Sequence, residues 1–575
     1  MKTLLSYLSP YKLRMAVGFC IKAAGTLAEL VLPLIMAHMI DNVAPTEDVL
    51  ALSLWGAGML ACAAAGLFGN VIANRMASRV ARDTTERLRA DLFSKTLHLS
   101  ARQTDQATVP SLVSRLSSDT YNVHNMIGMM QRLGVRAPIL LVGGVALTFT
   151  VDYLLALILL AAVPVLAVIV ILVSRRGIVL YDDLQRSVDG MVRKVRDDHT
   201  GIRVIKALSR TEYESASFAA INETVVRNET KAGTMMGVTN PLMNAVLNLG
   251  MAAVIFAGAF RVASGHAMPG DIIAFTSYFT LILNAVISVS RIFVMYSKGG
   301  ASAKRIADIL ALPEELTPLP AGKTDEADGS VLRFDRVSFS YGGAHALEEI
   351  SFSVAKGESL GIIGATGSGK STVVSLLLRF YDADEGGVFI DGKDVRTYPR
   401  EELRAKFGVV FQNDFLMAAS IRENIDFERG IAQEDIGRAA HYAKADAFIE
   451  EHGGYESNLT ARGANFSGGQ KQRLLIARAL AAAPEILILD DSSSALDYRT
   501  DAQLRKTLRE QLPDTTIVMI AQRISSVRFA DKILVLDKGK AVGFGPDEEL
   551  MRTCEVYRNI YASQHADDEG GFHET

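Results

Sequence analysis

Residues 359–372 read SLGIIGATGSGKST: an apolar run, a glycine-punctuated loop, then a lysine and two hydroxyls. The stretch fits G-x-x-x-x-G-K-[ST], with Gly364, Gly369, Lys370 and Ser371 at the fixed positions. That spacing has a physical basis. Glycines let the backbone curl until successive N–H groups point inward at phosphate oxygens, and the following helix N-terminus adds its dipole. Gly364, Ala365, Thr366, Gly367, Ser368 and Gly369 would form the cradle, with Lys370, Ser371 and Thr372 opening the helix. Lys370 would reach the outer phosphates and Ser371 would hold Mg²⁺. The competing reading is a glycine-rich strand-to-helix turn that binds nothing.

Other stretches decide between the two. ILILDD at 486–491 is an apolar strand ending in two acids, where a phosphate-loop ATPase keeps its Mg²⁺-binding aspartate. NFSGGQKQR lies between, at 465–473, and upstream Tyr341 ends the alternating segment VLRFDRVSFSY. Taken with Gln412, SALD at 494–497 and MIAQRISSV at 519–527, these motifs resemble the nucleotide-binding domain of ATP-binding cassette (ABC) transporters over roughly residues 330–560. The resemblance implies an α/β phosphate-loop ATPase domain that binds ATP and Mg²⁺. Tyr341 would then stack on adenine, an aromatic contact that tolerates any base. Asp490 would hold Mg²⁺ with Ser371, and Gln412 would contact the metal or the attacking water. Ser467, Gly468, Gly469 and Gln470 would form the signature, a helix N-terminus facing the γ-phosphate held by a second such domain. One chain supplies one domain, so two chains are implied.

The departures from the family pattern carry information. Phe466 stands where the family has leucine. Position 491, which in the family holds the glutamate that polarises the attacking water, is Asp491, a carboxylate retracted by about 1.5 Å. Misplacement on the order of 1 Å can cost ~10²-fold in rate. Gln522 stands where the family has its switch histidine; it can hydrogen-bond a phosphate but carries neither proton nor charge near neutral pH. Binding residues are thus intact and hydrolytic residues altered at two places. The pattern resembles the degenerate-site subunit of heterodimeric bacterial multidrug ABC exporters. In such a pair the partner half-transporter keeps the glutamate and histidine, and this chain's signature completes the partner's competent site. A homodimeric lipid or peptide translocator, an importer with the same fold, and an ATP-gated regulator or channel are the alternatives.

Outward from the ATPase half, the composition changes. The chain has 575 residues, too many for one domain, and 49% are hydrophobic, concentrated in the first 300. A net charge of −4 leaves no basic footprint for nucleic acid. Cys20, Cys62 and Cys554 lie far apart and read as small buried hydrophobes, and the histidines show no zinc-like spacing. The first residues, MKTLLSYLSPYKLRM, lack a cleavage-site pattern and read as an amphipathic helix on the membrane face.

Six spans near the ~20 residues a bilayer demands follow, at about 15–40, 50–73, 128–151, 153–174, 238–262 and 270–295, forming an all-α transmembrane domain over 1–300. The third and fourth form a hairpin turning near Asp152. The loop 41–50 has no Lys or Arg, whereas Arg75, Arg79, Arg82, Arg87, Arg89 and Lys95 closely follow the second span. The positive-inside rule makes the latter side cytoplasmic, and an even number of spans puts both termini and the ATPase domain there; the resemblance implies a bacterial plasma membrane. The polar stretches 75–125 and 175–235 read as helices continuing out of the bilayer. By resemblance to exporter-type domains, coupling contacts to the ATPase fall near 116–124 and 211–218.

Polar residues inside the spans have two readings. Asn240, Asn244 and Asn248 recur at i, i+4, i+8 and share one helix face, either a substrate pathway or interhelical hydrogen-bonding glue. Lys22 and Glu29 in the first span are assigned to no substrate. Residues 301–330 read as a linker, 331–563 as the nucleotide-binding domain and 564–575 as a disordered acidic tail. The substrate class expected of such an exporter is an amphipathic drug, a lipid or a peptide, since the fold does not fix it.

Overall fold

Apolar runs of this length have one good solution in lipid, the helix, which satisfies every backbone polar group internally. The computed structural model describes residues 2–313, 316–320, 329–343, 345–492 and 495–569. Among these, six helical stretches are long and apolar enough to cross a membrane. The chain divides into two units, Met1–Leu97 with Thr108–Leu312, and His98–Ala107 with Pro313–Thr575.

The helices of the first half are, in order, α1 (Lys2–Leu8), α2 (Lys12–His38), α3 (Val49–Leu97), α4 (Ala101–Ala107), α5 (Val109–Ser114), α6 (Thr120–Val151), α7 (Tyr153–Thr200), α8 (Ile202–Ala207), α9 (Thr211–Gly237), α10 (Thr239–Ala263) and α11 (Pro269–Leu310). All but α4 belong to the first unit. As the composition predicts, α3 and α7 run unbroken well past their apolar stretches. The α6–α7 turn is at Asp152, whose extended backbone and carboxylate start α7 by accepting the N–H groups of Leu154 (2.8 Å) and Leu155 (3.1 Å). Arg261 of α10 donates to the other oxygen at 3.0 and 2.8 Å, so one buried acid ties three helices together.

The core of this unit is Leu30, Leu155, Leu159, Phe275 and Phe279, with Tyr278 spending its hydroxyl on the Leu30 carbonyl at 2.7 Å. Helices α2 and α3 approach closest at glycines. A Cβ on Gly66 would lie 3.3 Å from the Gly25 carbonyl oxygen, and one on Gly69 3.3 Å from the Gly25 Cα. Gly66→Leu should therefore force the helices apart and cost about 1–3 kcal/mol. A clear fall in the thermal midpoint of the detergent-solubilised protein would register it. Gly56→Leu, where nothing lies within 4 Å, should leave that midpoint unchanged. An equal response of the two variants would exclude the close crossing.

Two expectations shift, the linker and the tail. Helix α11 continues to Leu310, inside the linker expected at 301–330, because Ala303, Ile306 and Ile309 bury one helical face. Gly299 lies inside this helix at a close approach: a Cβ there would meet Met126 Cβ at 2.5 Å. Much of that linker, 314–315 and 321–328, lies outside the described residues. The tail is helical as far as Glu569 in the helix Glu555–Glu569, and 570–575 lie outside the described residues. Residues 116–124 lead into α6, with Asp119 buried against Ser302 (2.8 Å) and Arg305 (2.9 Å), while 211–218 simply open α9. The segment that leaves its neighbours for the ATPase unit is 98–107. Gln103 donates to the Pro313 carbonyl at 3.0 Å, and Asp105 accepts from the Tyr381 hydroxyl.

The second unit is built on two sheets. Strands β1 (Ser330–Ser340), β2 (His345–Ala355), β4 (Glu385–Ile390) and β5 (Lys393–Asp394) form an antiparallel sheet in the order β2-β1-β4-β5. Strands β3 (Ser359–Gly364), β6 (Phe407–Val410), β7 (Ile486–Asp490), β8 (Thr516–Ile520), β9 (Lys532–Asp537) and β10 (Lys540–Gly545) form the other, ordered β10-β9-β3-β8-β7-β6. There β6, β7, β8, β3 and β9 run parallel, and β10 closes one edge antiparallel. β7 is buried at every position, which is why ILILD reads as an uninterrupted apolar run rather than an alternation. A helical portion with its own core of Ile421, Ile425, Ile436, Phe448 and Leu474 carries the signature.

Candidate functional site

In an open parallel sheet, ligands bind beyond the carboxyl ends of the strands. Four such ends converge here. β3 delivers the glycine loop, β6 is followed by Gln412, β7 ends on Asp490 and Asp491, and β8 is followed by Gln522. The register pairs Asp490 with Ile520 and Gly361 with Met519, so these ends lie side by side. They border a cleft of about 370 Å³ lined by Tyr341, Thr366, Gly367, Gly369, Lys370, Ser371, Thr372, Gln412, Asp490, Asp491 and Gln522.

The loop needs its glycines for two reasons. Gly364 lies so close to β9 that a Cβ would sit 2.1 Å from the Leu536 carbonyl oxygen, and Gly369 has φ +101°. Lys370 reaches back over the loop, its Nζ donating to the carbonyls of Gly364 (2.8 Å) and Ala365 (2.9 Å). Burial pulls its ammonium below its ordinary pKa, opposed by the carboxylates of Asp490 and Asp491. Burial pushes the Asp490 carboxyl up; the hydrogen bond from the Ser371 hydroxyl works against that rise, and the neighbouring Asp491 adds to it. Ser368 is buried and its hydroxyl has no partner.

The donor set fits Mg²⁺. Among the described residues no group of three or more His, Cys, Asp or Glu could hold a metal ion. Mg²⁺ does not require one: it uses one or two protein oxygens and completes its shell with waters and phosphate. Ser371 and Asp490 already touch through a hydrogen bond, and Gln412 offers a further hard oxygen in the same cleft.

The two altered positions meet. Asp491 Oδ2 lies 3.5 Å from Gln412 Nε2 and 3.5 Å from Gln522 Nε2, at the long limit of hydrogen bonding. Its backbone N–H donates to the Ile520 carbonyl at 2.9 Å, and its φ is +50°. Aspartate and asparagine are enriched in that left-handed region.

Tyr341 is half exposed at the cleft edge, its hydroxyl 3.4 Å from Thr372 Oγ1. Its ring meets Tyr381 edge-on, with centroids 5.2 Å apart, and Tyr381 in turn bonds Asp105 of α4. A lining residue thus touches the one segment borrowed from the first 300 residues.

The signature stands apart from this cleft. Ser467 caps the helix Gly468–Leu480: its hydroxyl accepts the Gln470 N–H at 3.3 Å, and Gln470 Oε1 accepts the Ser467 N–H at 2.9 Å. Gly468 and Gly469 lie against Ala495, whose N–H is held by Gln472 at 3.0 Å; Ser494 of the expected SALD motif is outside the described residues. Phe466 is buried, stacked on His452 with centroids 4.5 Å apart, so the departure from leucine fills space rather than opening it.

Asn240, Asn244 and Asn248 share a face of α10, but all three are exposed, while Met243, Val254 and Gly258 form its buried face. Sequence reasoning missed two features of the nucleotide cleft. Ala346 of β2 lines it, and Gln564 braces the switch segment, donating to the Gln522 carbonyl (2.8 Å) and accepting from the Ile524 N–H (2.8 Å). No local pattern marks either residue; both act through the fold.

Residues 15–286 match the family described as ABC transporter transmembrane region, and 347–494 the family described as ABC transporter. An uncharacterized ABC transporter ATP-binding protein of Mycobacterium tuberculosis is 34% identical over 566 residues, spanning 97% of each chain. YfiB of Bacillus subtilis, an uncharacterized ABC transporter ATP-binding protein, is 32% identical over 568 residues and 98% of each chain. The structure of a bacterial Atm1-family ABC exporter with ATP bound aligns with a TM-score of 0.81 at 25% identity, over 96% of this chain and 98% of that one.

Proposed function

The chain belongs to the ABC transporters of the exporter type, and from that premise we propose that it is the slow-site half of a heterodimeric ATP-driven exporter. Its membrane-spanning unit and its ATPase domain make it half of a dimeric transporter. Its partner, on this reading, is a different half-transporter that keeps the glutamate and histidine this chain lacks. The load is an amphipathic drug, lipid or peptide, moved out across a bacterial plasma membrane with both termini and the ATPase cytoplasmic.

One observation carries the reading: the Asp491 carboxylate faces two neutral amides, Gln412 and Gln522, and neither can take up or pass on a proton. The binding residues are complete beside it. Lys370 sets a positive charge at the β- and γ-phosphates, and the loop N–H groups orient them. Ser371, Asp490 and Gln412 would hold Mg²⁺, which when bound offsets phosphate charge. Asp491 is left to face the attacking water, one bond too short and without a switch histidine across from it. Ser467–Gln470, on a separately capped helix, serve ATP held by the partner. Asn240, Asn244 and Asn248 give α10 an exposed polar face suited to the pathway.

The test is turnover with and without the partner. The chain alone, purified and reconstituted in lipid, should hydrolyse ATP at least about tenfold more slowly than the chain co-expressed with the half-transporter of an adjacent reading frame. An ordinary turnover for the chain alone, within the roughly 1–10³ s⁻¹ typical of enzymes, would instead mean a homodimer.

A further inference from the structure

The two ionisable residues of the first span find partners far away in sequence. Glu29 receives a bidentate pair from Arg136 of α6, at 2.5 and 3.2 Å. Lys22 donates to Asn74 of α3 at 3.0 Å and is only 4% exposed. The Gly25–Gly66–Gly69 crossing lies between them and presses α2 onto α3. Arg132 lies one turn before Arg136 on the same side of α6. Arg132 spends its Nε on the Gly128 carbonyl of its own helix at 3.1 Å and has no carboxylate. Three cations and one acid thus fall within two expected membrane spans, and only Arg136 is paired with the acid.

Such an excess is costly in a membrane unless something offsets it. Snorkelling does not account for it, because Lys22 does not reach solvent. Helix pairing does not account for it either. The Glu29–Arg136 pair would tie α2 to α6 without Lys22 or Arg132, and buried charge added to a satisfied pair destabilises. Lys22 and Asn74 do hold α2 to α3, but an uncharged side chain would do so at lower cost.

We propose that Arg132 and Arg136 form a binding site for the anionic group, phosphate or carboxylate, of an amphiphilic substrate whose apolar part lies among the spans, with the buried Lys22 adding positive charge behind them. Glu29 fixes the Arg136 guanidinium, and Arg132 supplies the free N–H groups. The assignment rests on the chain being a transporter, not on which ATP site is slow.

Arg132 is the residue to change, because its removal orphans no carboxylate. The assembled transporter in maltoside micelles is titrated calorimetrically with dodecyl phosphate and with dodecyltrimethylammonium, and ATP binding is measured on the same samples. The wild type should bind the phosphate at least about tenfold more tightly than the ammonium. Arg132→Gln should lose most of that preference, and Arg132→Lys should keep most of it, with ATP binding equal in all three. Equal binding of the two amphiphiles by the wild type, or a preference untouched in Arg132→Gln, would overturn the site. If Arg132→Gln fails to fold, the wild-type comparison and Arg132→Lys still decide. Loss of ATP binding throughout would count against the transporter reading instead. Phosphatidylglycerol that co-purifies and is displaced by dodecyl phosphate would identify a membrane lipid as the source of the anion. Phosphate-selective binding with no co-purified lipid would identify a soluble amphiphile; the site stands in both cases.

Discussion

Gly468→Asp is expected to lower the ATPase rate of the assembled heterodimer by roughly 100-fold or more, while Asp491→Asn leaves it within about threefold. The first figure follows from the helix start. Gly468 is the first residue of a helix capped by Ser467 and Gln470, so its N–H is free to face ATP on the other subunit. A carboxylate there opposes the γ-phosphate and the charge that develops on it, and losing even one pre-organised donor costs about 2.7–4 kcal/mol. Sterics are a smaller matter. A Cβ at 468 would sit 3.3 Å from Ala495 Cβ, so Gly468→Ala meets the same neighbour without the charge and should retain much more activity. Asp491→Asn is mild for a matching reason. Asparagine accepts φ +50° as readily as aspartate, so the backbone stays put, and on the proposed reading the site that loses its carboxylate is the slow one. Steady-state ATPase assays on equally assembled mutants read both effects. The reverse order, Asp491→Asn lethal and Gly468→Asp mild, would remove the asymmetric two-site model.

Lys370→Ala should weaken ATP binding to this chain by about 10–100-fold, the range of one or two charged hydrogen bonds. On the proposed reading the side chain has two jobs. It carries the positive charge beside the phosphates, and it staples the loop through the Gly364 and Ala365 carbonyls. Without it, Asp490 and Asp491 would face the phosphates unopposed. Photolabelling with an ATP analogue, resolved by subunit, measures the loss on this chain alone. Labelling equal to wild type would mean that the loop is a structural turn.

Most of the nucleotide cleft is legible because it is local. Gly364 to Thr372 is one continuous stretch whose spacing is dictated by a phosphate, and ILILDD announces a buried parallel strand by its unbroken apolarity. The six membrane helices are legible for a related reason, since lipid demands long apolar runs. What is not legible is either short or distant. Helix α4 has seven residues, five of them polar, and no apolar stripe, so nothing in the sequence separates it from any solvated turn. Glycine both ends helices and lets them approach, and at Gly299 only Met126 decides between the two. Gln564 sits in an acidic, tail-like composition, and its purpose appears only where the fold sets it beside Gln522. Glu29 meets Arg136 across 107 positions.

The borrowed segment 98–107 has a consequence for how the chain is made. Its partners, Pro313 and Tyr381, leave the ribosome roughly 200 residues or more after it, on the order of 10–40 s later at 5–20 residues per second. For that interval Gln103 has only its neighbour Ser100, and Asp105 lacks the Tyr381 hydroxyl. The ATPase domain therefore cannot be completed by its own sequence. Its last contacts are set by a stretch already anchored in the bilayer, so membrane insertion comes before completion of the nucleotide-binding half. Synthesis thereby gains an order of events in which a chain that failed to insert would also lack a finished ATPase.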